Sequence, residues 1–169
     1  MSKGRKGGRI LFKAQAYDGN AKDQSKLLIK QLKSLLEGEP NTIANLSNAS
    51  ALLNQFLERI NWVGFYLVEN NELVLGPFQG LPACIRIPFK KGVCGTAAAT
   101  EKTIVVEDVN AFPGHIACDA ASQSEIVIPI FKNGELFGVL DIDSPEKKRF
   151  DHTDQTILEE FVRELERFL

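Results

Sequence analysis

The sequence has few of the residues that cross-link a protein covalently or through metal. It contains three cysteines and two histidines among 169 residues, and no two cysteines lie at Cys-x-x-Cys spacing. Secreted disulfide scaffolds and zinc modules depend on closely paired ligands, so the sequence is typical of neither class. An odd number of cysteines without a closely spaced pair favours a cytoplasmic protein with reactive thiols.

Long apolar runs are missing as well. The longest, residues 126–131, has the length of a strand and is far below the roughly 20 residues that cross a bilayer. The first nine residues are basic and rich in glycine, and no apolar signal segment follows them. We therefore expect residues 1–22 to be a poorly ordered or extended tail and residues 23–169 to be one domain that is not in a membrane.

An excess of positive charge is also absent. The formal net charge is -2, whereas a nucleic-acid surface needs a clustered basic footprint to displace counterions. The composition, 44% apolar and 25% charged, is that of a globular domain with a sizeable core. These values argue against a nucleic-acid partner.

Apolar residues at helical spacing predict two helices before a sheet and one after it. The first covers residues 23–36, and the second runs from about residue 41 to residue 60. The last begins after Asp151, which with Asp154 three residues on forms a cap signature.

Alternating residues between these helices predict two β-hairpins and further short strands. The first hairpin turns at residues 69–72, and the second turns at Asn133-Gly134, a strong turn signal. This order of elements predicts an antiparallel sheet with helices packed on it, an α+β domain.

Two strands carry candidate site residues. Trp62 and Tyr66 flank Gly64 on one strand face, which predicts either a ligand-sized gap above the glycine or an ordinary aromatic core. Asp141 and Asp143 are predicted to share one face of a strand with Phe137 and Val139, which precede them in the sequence. Two buried like charges require a cation or a proton, so these carboxylates mark either a site or a solvated strand end.

The closest grouping of reactive side chains lies in residues 114–125, which we expect to be a loop that leads into a strand. Cys118 is a candidate nucleophile there, because a thiolate is the only strong nucleophile among these side chains, and His115 could stabilise it. Cys94 competes for this role, since it lies in the predicted first turn of a short helix, where the helix N-terminus lowers the pKa of a thiol. The residues alone do not choose between the two cysteines, and either could be a small buried thiol.

Six segments match the motifs of one family. They are Asn-Trp-Val-Gly-Phe-Tyr-Leu at 61–67, Leu-Gly-Pro-Phe-Gln-Gly at 75–80, Gly-Val-Cys-Gly-Thr at 92–96, Gly-His-Ile-Ala-Cys-Asp at 114–119, Ser-Glu-Ile-Val at 124–127 and Gly-Val-Leu-Asp-Ile-Asp at 138–143. From about Leu27 to the C-terminus the chain resembles the free methionine-(R)-sulfoxide reductases, single-domain enzymes of the GAF fold. All three cysteines of that family are present, as Cys84, Cys94 and Cys118.

The resemblance implies a GAF fold with a central antiparallel six-stranded sheet. It also implies an enzyme of oxidative-stress repair that reduces free methionine-(R)-sulfoxide to methionine without a bound cofactor or metal. It makes Cys118 the attacking thiol, which becomes a sulfenic acid, and Cys84 the main partner in the resolving disulfide. Cys94 is then auxiliary. The implied external reductant is thioredoxin, with NADPH and thioredoxin reductase, and a homodimer through the first two helices is compatible with the family.

The resemblance also puts five residues in the substrate pocket: Trp62, Tyr66, Glu125, Asp141 and Asp143. A sulfoxide becomes electrophilic when its oxygen is protonated, so we expect Glu125 and Asp143 to donate protons as a coupled pair. Asp141 is expected to stay ionised and hold the substrate ammonium. The two aromatic residues are expected to enclose the methyl group and side chain.

Two other classes compete with this interpretation. GAF domains also act as small-molecule sensors, which bind without catalysis, although three thiols near one pocket are not needed in a sensor. A metal site formed by His115, Cys118 and the other cysteines is the second alternative, but the cysteines lack the short paired spacings of zinc modules.

Overall fold

The computed structural model describes residues 17–114 and 119–169. Its helices are α1 (Ala21–Leu36), α2 (Thr42–Phe56), α3 (Gly92–Thr100) and α4 (His152–Leu165). Its strands are β1 (Trp62–Glu69), β2 (Glu72–Gln79), β3 (Arg86–Pro88), β4 (Ile104–Val106), β5 (Ser124–Lys132) and β6 (Glu135–Ser144). Short 3₁₀ turns cover Val109–Ala111 and Glu166–Phe168.

The strands form one sheet in the order β3-β2-β1-β6-β5-β4, and every neighbouring pair is antiparallel. Both predicted hairpins are present, β1 with β2 and β5 with β6. Asn70 and Asn71 in the first turn and Asn133 and Gly134 in the second all have positive φ, as a two-residue hairpin turn that follows the strand twist requires. The predicted α+β architecture with a six-stranded antiparallel sheet is confirmed.

The two faces of the sheet bury two separate apolar clusters. Helices α1, α2 and α4 cover one face, where Val63 and Phe65 of β1 point into the larger cluster. Helix α3 lies on the other face with Trp62 and Tyr66. The alternation of apolar side chains along β1 therefore serves two layers.

Two helix boundaries differ from the sequence prediction. Helix α2 ends at Phe56, four residues before the predicted end at Ile60, because Leu57 is extended and Arg59 has a φ of 58°. Helix α1 begins at Ala21, two residues earlier than predicted, because the Asn20 side chain accepts a hydrogen bond from the Asp23 N–H.

The start of the described chain is also packed. The Tyr17 ring lies edge-on to Phe56, with 4.7 Å between ring centroids, and its hydroxyl donates to Gln31. Residues 1–16 lie outside the described part, so the predicted extended tail over residues 1–22 stays a prediction there.

Strand β6 contains a bulge that the alternating pattern did not predict. Ile130 pairs with Gly138 and Phe131 pairs with Leu136, which leaves Phe137 as the extra residue. Phe137 consequently packs on the face covered by α1, α2 and α4, while Val139 packs on the face covered by α3. The prediction that Phe137 shares a face with the two aspartates was wrong for this reason.

Among the described residues, no helix is both long and apolar enough to pass through a bilayer.

Candidate functional site

Antiparallel pairing of three adjacent strands brings the acidic residues together. Asp143 of β6 lies opposite Glu125 of β5 on one side and Trp62 of β1 on the other. Asp141, two residues earlier on the same face, lies opposite Gly64. Like charges directly across neighbouring strands repel each other, so this arrangement needs a proton or a cation.

The carboxylates are withdrawn from water. Glu125 is 5% exposed and Asp141 is 6% exposed, whereas Asp143 is half-buried. The Oδ1 atom of Asp141 is buried and has no hydrogen-bond partner. A buried carboxylate oxygen without a partner is costly, so this oxygen marks a place for a donor or a cation.

The environment raises the pKa values of all three carboxyl groups. For Glu125, burial is the main cause, followed by the charges of Asp141 and Asp143. Burial is also the main cause for Asp143, with Asp141 next. The pKa of Asp141 rises less, to about 6, because hydrogen bonds with Cys94 and Glu125 offset part of the effect of burial. Asp141 is therefore ionised above about pH 6, while the raised pKa values of Glu125 and Asp143 make these two carboxyl groups hold their protons to higher pH than free side chains do.

Cys94 lies in the first turn of α3, as predicted, but it is not an activated thiol. Its Sγ atom is 3.9 Å from Oε1 of Glu125, and the side chain is 4% exposed. Burial first, and then the charges of Asp141 and Glu125, raise the pKa of the Cys94 thiol. The prediction that the helix N-terminus lowers this pKa was wrong, because desolvation and nearby acidic groups outweigh the helix dipole.

The N-terminus of α3 faces the same cavity as the carboxylates. No side chain caps this end of the helix, and the first N–H groups of a helix have no partner within it. Gly92 and Val93 line the cavity together with the exposed Lys91. The cavity thus has a positive end beside a negative one.

The cavity beside the carboxylates is small. It has a volume of about 30 Å³, which is room for a group the size of a water or an ammonium. The described residues that line it are Ile87, Lys91, Gly92, Val93, Cys94, Asp119, Ser122, Glu125, Asp141 and Asp143.

Three polar residues at the rim were not predicted to take part in the site. The Asn61 Nδ2 donates to Asp119 Oδ2 at 2.8 Å and to Ser122 Oγ at 3.1 Å. Ser122 in turn hydrogen-bonds Asp143, which partly offsets the rise in the pKa of that carboxyl group. Asn61 and Asp119 lie within the recognised motifs, but only the fold shows that both hydrogen-bond Ser122, the residue that contacts Asp143.

Trp62 and Tyr66 lie on the predicted face but are packed in the core. Their rings are 5.9 Å apart, and Phe78 stacks on the other side of Trp62 at 5.3 Å. A Cβ atom at Gly64 would lie 2.6 Å from the Trp62 ring, so the space above this glycine is filled. The ligand-sized gap was the wrong alternative, and packing relief in an aromatic core is what the structure has.

These two aromatic residues are not among the described residues that line the cavity. Tyr66 nevertheless lies close to it, since burial and the charges of Asp141 and Cys94 raise the pKa of its hydroxyl. Their role in substrate binding stays a prediction.

Of the two remaining cysteines, the structure describes Cys84 but not Cys118. Cys84, just before β3, is half-buried and disulfide-bonded. Cys118 and His115 lie outside the described residues, so the predicted nucleophile and the alternative metal site built on this pair are not placed.

A metal ion has one candidate position in the described part of the chain. Cys94, Glu125 and Asp141 each offer a ligand atom, and these atoms lie within 4.8 Å of one another. All three are the buried groups that the cavity reaches, so a cation and an organic ammonium would compete for the same place.

Known proteins are similar to this chain in sequence and in fold. The GAF domain family model matches residues 36–169. The free methionine-R-sulfoxide reductase of Escherichia coli is 51% identical over 142 residues, which cover 84% of this chain and 86% of that protein.

Solved structures of such reductases are also similar to this chain. The fRMsr of Staphylococcus aureus in its reduced form is 60% identical with a TM-score of 0.84, covering 86% of this chain and 94% of the other. A free methionine-R-sulfoxide reductase from Neisseria meningitidis in complex with its substrate is 45% identical with a TM-score of 0.85, covering 91% and 93%.

Proposed function

This chain belongs to the GAF domain family, among its free methionine-R-sulfoxide reductases, and we propose that it reduces free methionine-(R)-sulfoxide to methionine by cysteine chemistry. The observation that carries the proposal is the cluster of Glu125, Asp141 and Asp143 at one cavity, with the first two buried and Asp143 half-buried. In this proposal Asp141 is the ionised member, and Glu125 and Asp143, whose pKa values are raised well above their usual range, are the proton donors.

The ionised member accounts for selection of a free amino acid. The unpartnered Oδ1 atom of Asp141 would accept a hydrogen bond from the substrate ammonium inside the cavity. A residue inside a peptide has an uncharged amide nitrogen in place of this ammonium. Peptide-bound methionine sulfoxide would leave a buried charge unpaired and is therefore rejected.

The opposite charge of the substrate also has a candidate partner. The uncapped N-terminus of α3, with Gly92 and Val93 at the cavity wall, would receive the substrate carboxylate. Lys91 at the same end adds a positive charge. The cavity then recognises both charges of a free amino acid.

The protonated members supply the acid chemistry. In this mechanism Glu125 or Asp143 donates a proton to the sulfoxide oxygen, and the thiolate of Cys118 attacks this activated group. The S–O bond of the substrate breaks, methionine leaves as the thioether, and the oxygen remains on Cys118 as a sulfenic acid. The sulfur of the substrate is reduced by two electrons, and Cys118 is oxidised by two.

Cys84 would complete the cycle. Its thiol condenses with the sulfenic acid to form a disulfide and water, and two thiols of thioredoxin then reduce this disulfide. That Cys84 is disulfide-bonded supports a resolving role. Cys94 is not needed as a nucleophile, since its raised pKa keeps the thiol protonated.

A coupled assay with thioredoxin, thioredoxin reductase and NADPH tests the reaction. We expect NADPH consumption with the free R epimer, and none with the S epimer or a peptide-bound sulfoxide. Binding of the free R epimer with no consumption, by protein whose thiols are reduced, would contradict the enzyme and indicate a sensing GAF module.

Two variants test the assignment of the nucleophile. Cys118→Ser should abolish methionine formation in a single turnover of reduced protein, whereas Cys94→Ser should still form one methionine per chain. If the Cys94 variant is the inactive one and the Cys118 variant is active, the attacking thiol is Cys94.

A further inference from the structure

The surface around Cys84 carries an unusual concentration of exposed apolar side chains. Leu81 is 64% exposed and Ile85 is 71% exposed, three residues before and one residue after this cysteine. The remaining large hydrophobic side chain that is exposed in the described part of the chain is Ile43 of α2, at 56%. Most such side chains are buried in folded proteins, and those that cluster on a surface mark contact sites.

This segment is held from beneath. The Trp62 Nε1 donates to the Leu81 carbonyl at 3.1 Å, and the Tyr66 hydroxyl donates to the Cys84 carbonyl at 2.9 Å. The Leu75 N–H donates to the Ile85 carbonyl at 2.9 Å. Three donors from β1 and β2 therefore hold the backbone at residues 81, 84 and 85, and the Leu81 and Ile85 side chains are exposed on this anchored segment.

We propose that residues 81–85, which we call the 81–85 platform, are the docking surface for the protein dithiol that reduces the Cys84 disulfide. The proposal rests on the proposed function, because only a cysteine that is reoxidised in every cycle needs such a partner. It also gives Trp62 and Tyr66 a second role, as the anchors of this platform.

The chemistry requires a partner at this place. One thiolate of the dithiol attacks the sulfur of Cys84, the existing disulfide breaks, and its other sulfur leaves as a thiolate. The second thiol of the partner then attacks the mixed disulfide and releases Cys84 as a thiolate. Two electrons pass from the dithiol to the chain, and the partner leaves as a disulfide. Its surface must come into contact with the neighbours of Cys84 for a bond between the two sulfurs to form.

The composition of the platform fits a protein dithiol better than other occupants. Residues 81–85 contain no charged side chain, which disfavours nucleic acid and anionic lipid. Two side chains and their surroundings make a small contact, as in transient redox encounters, and are too small for a stable dimer of this chain.

The test uses three proteins. They are a double variant that carries both Leu81→Ser and Ile85→Ser, a control variant that carries Ile43→Ser, and the unchanged chain. Three quantities are measured: methionine formed in a single turnover of reduced protein, the steady-state rate with dithiothreitol, and kcat/KM for thioredoxin in the coupled assay. We expect kcat/KM for thioredoxin to fall about tenfold in the double variant. The other two quantities should stay within about twofold of the unchanged chain, as should all three in the control.

An unchanged kcat/KM for thioredoxin in the double variant would overturn the proposal, as would an equal loss with dithiothreitol, which needs no docking. A switch from dimer to monomer in sedimentation, with thioredoxin kinetics unaltered, would also overturn it and assign the platform to a second copy of the chain. If the unchanged chain forms no methionine in a single turnover, the proposed function itself is wrong. This outcome is distinguishable from a failure of the docking proposal alone.

Discussion

At the scale of single residues, Asp141 combines burial, acidic neighbours and an oxygen without a partner. It sits beside another buried carboxyl group and a buried thiol, yet its pKa rises only to about 6. One of its oxygens has no partner. The folded chain therefore holds a partly compensated charge at the end of its cavity, which lowers stability and suits a ligand cation.

Replacement of the charged Asp141 side chain should weaken substrate binding and, at the same time, stabilise the folded chain. In Asp141→Asn, KM for the free sulfoxide should rise at least about tenfold while kcat falls much less, because a ground-state contact to the ammonium is lost. The same change should raise the free energy of unfolding at pH 7 by about 1–3 kcal/mol, since a pKa shift of one unit corresponds to about 1.4 kcal/mol.

The matched control for this substitution is Asp108→Asn, at a partly exposed carboxylate that pairs with Lys147. It should change neither KM nor stability by a comparable amount. Steady-state kinetics and urea unfolding measure both variants. If KM is unchanged in Asp141→Asn, the ammonium is held elsewhere.

At the scale of elements, the position of α3 sets the geometry of the site. Gly95 allows the helix to lie against the chain after β3, where a Cβ atom would be 2.3 Å from the Pro88 carbonyl oxygen. The Gly95 carbonyl accepts from the Lys90 N–H at 2.7 Å, and the Gly95 N–H donates to the Lys91 carbonyl at 3.0 Å. This close approach places the helix N-terminus and Cys94 against the carboxylates.

Gly95→Ala should therefore shift α3 and damage the site. The added methyl group meets backbone that cannot rotate away, which we expect to cost about 1–3 kcal/mol and to lower kcat/KM for the sulfoxide. Ala99→Ser, on the exposed side of the same helix, is the control and should leave both quantities nearly unchanged. Wild-type kinetics and melting temperature in the Gly95 variant would show that α3 tolerates displacement.

At the scale of the whole molecule, the buried carboxyl groups couple folding to pH. The folded pKa values of Glu125, Asp141 and Asp143 are all raised, so the folded chain binds more protons than the unfolded chain above about pH 4. Their contribution to stability is fully present below the unfolded pKa values. It is lost as the pH rises through the folded values, beginning with Asp141 near 6.

We thus expect the free energy of unfolding to fall between pH 5 and pH 8. Urea unfolding across this range measures the fall, and Glu125→Gln should make it shallower by removing one of the three titrating groups. Identical slopes in the unchanged chain and in this variant would mean that Glu125 does not titrate differently in the folded state. Removal of an exposed acid, as in Glu107→Gln, provides the matched control.

Local patterns along the chain were sufficient to predict most of the elements. Both hairpin turns, the Asp151 cap and the two faces of β1 follow from short-range rules about φ, capping and alternation, and each is present. The errors were also local in origin: an apolar stripe continued past Phe56 although Arg59 turns the chain, and a bulge moved Phe137 to the other face.

What the sequence determined by itself is the family, the order of elements and the residues able to do the chemistry, since these depend on residue type and spacing. Only the tertiary structure decided which groups carry charge. Strand register brings Glu125, Asp141 and Asp143 to one cavity and α3 places Cys94 beside them, so that desolvation raises all four pKa values. Desolvation and Coulomb interaction depend on distance and exposure in space, and neither quantity can be read from positions along a chain.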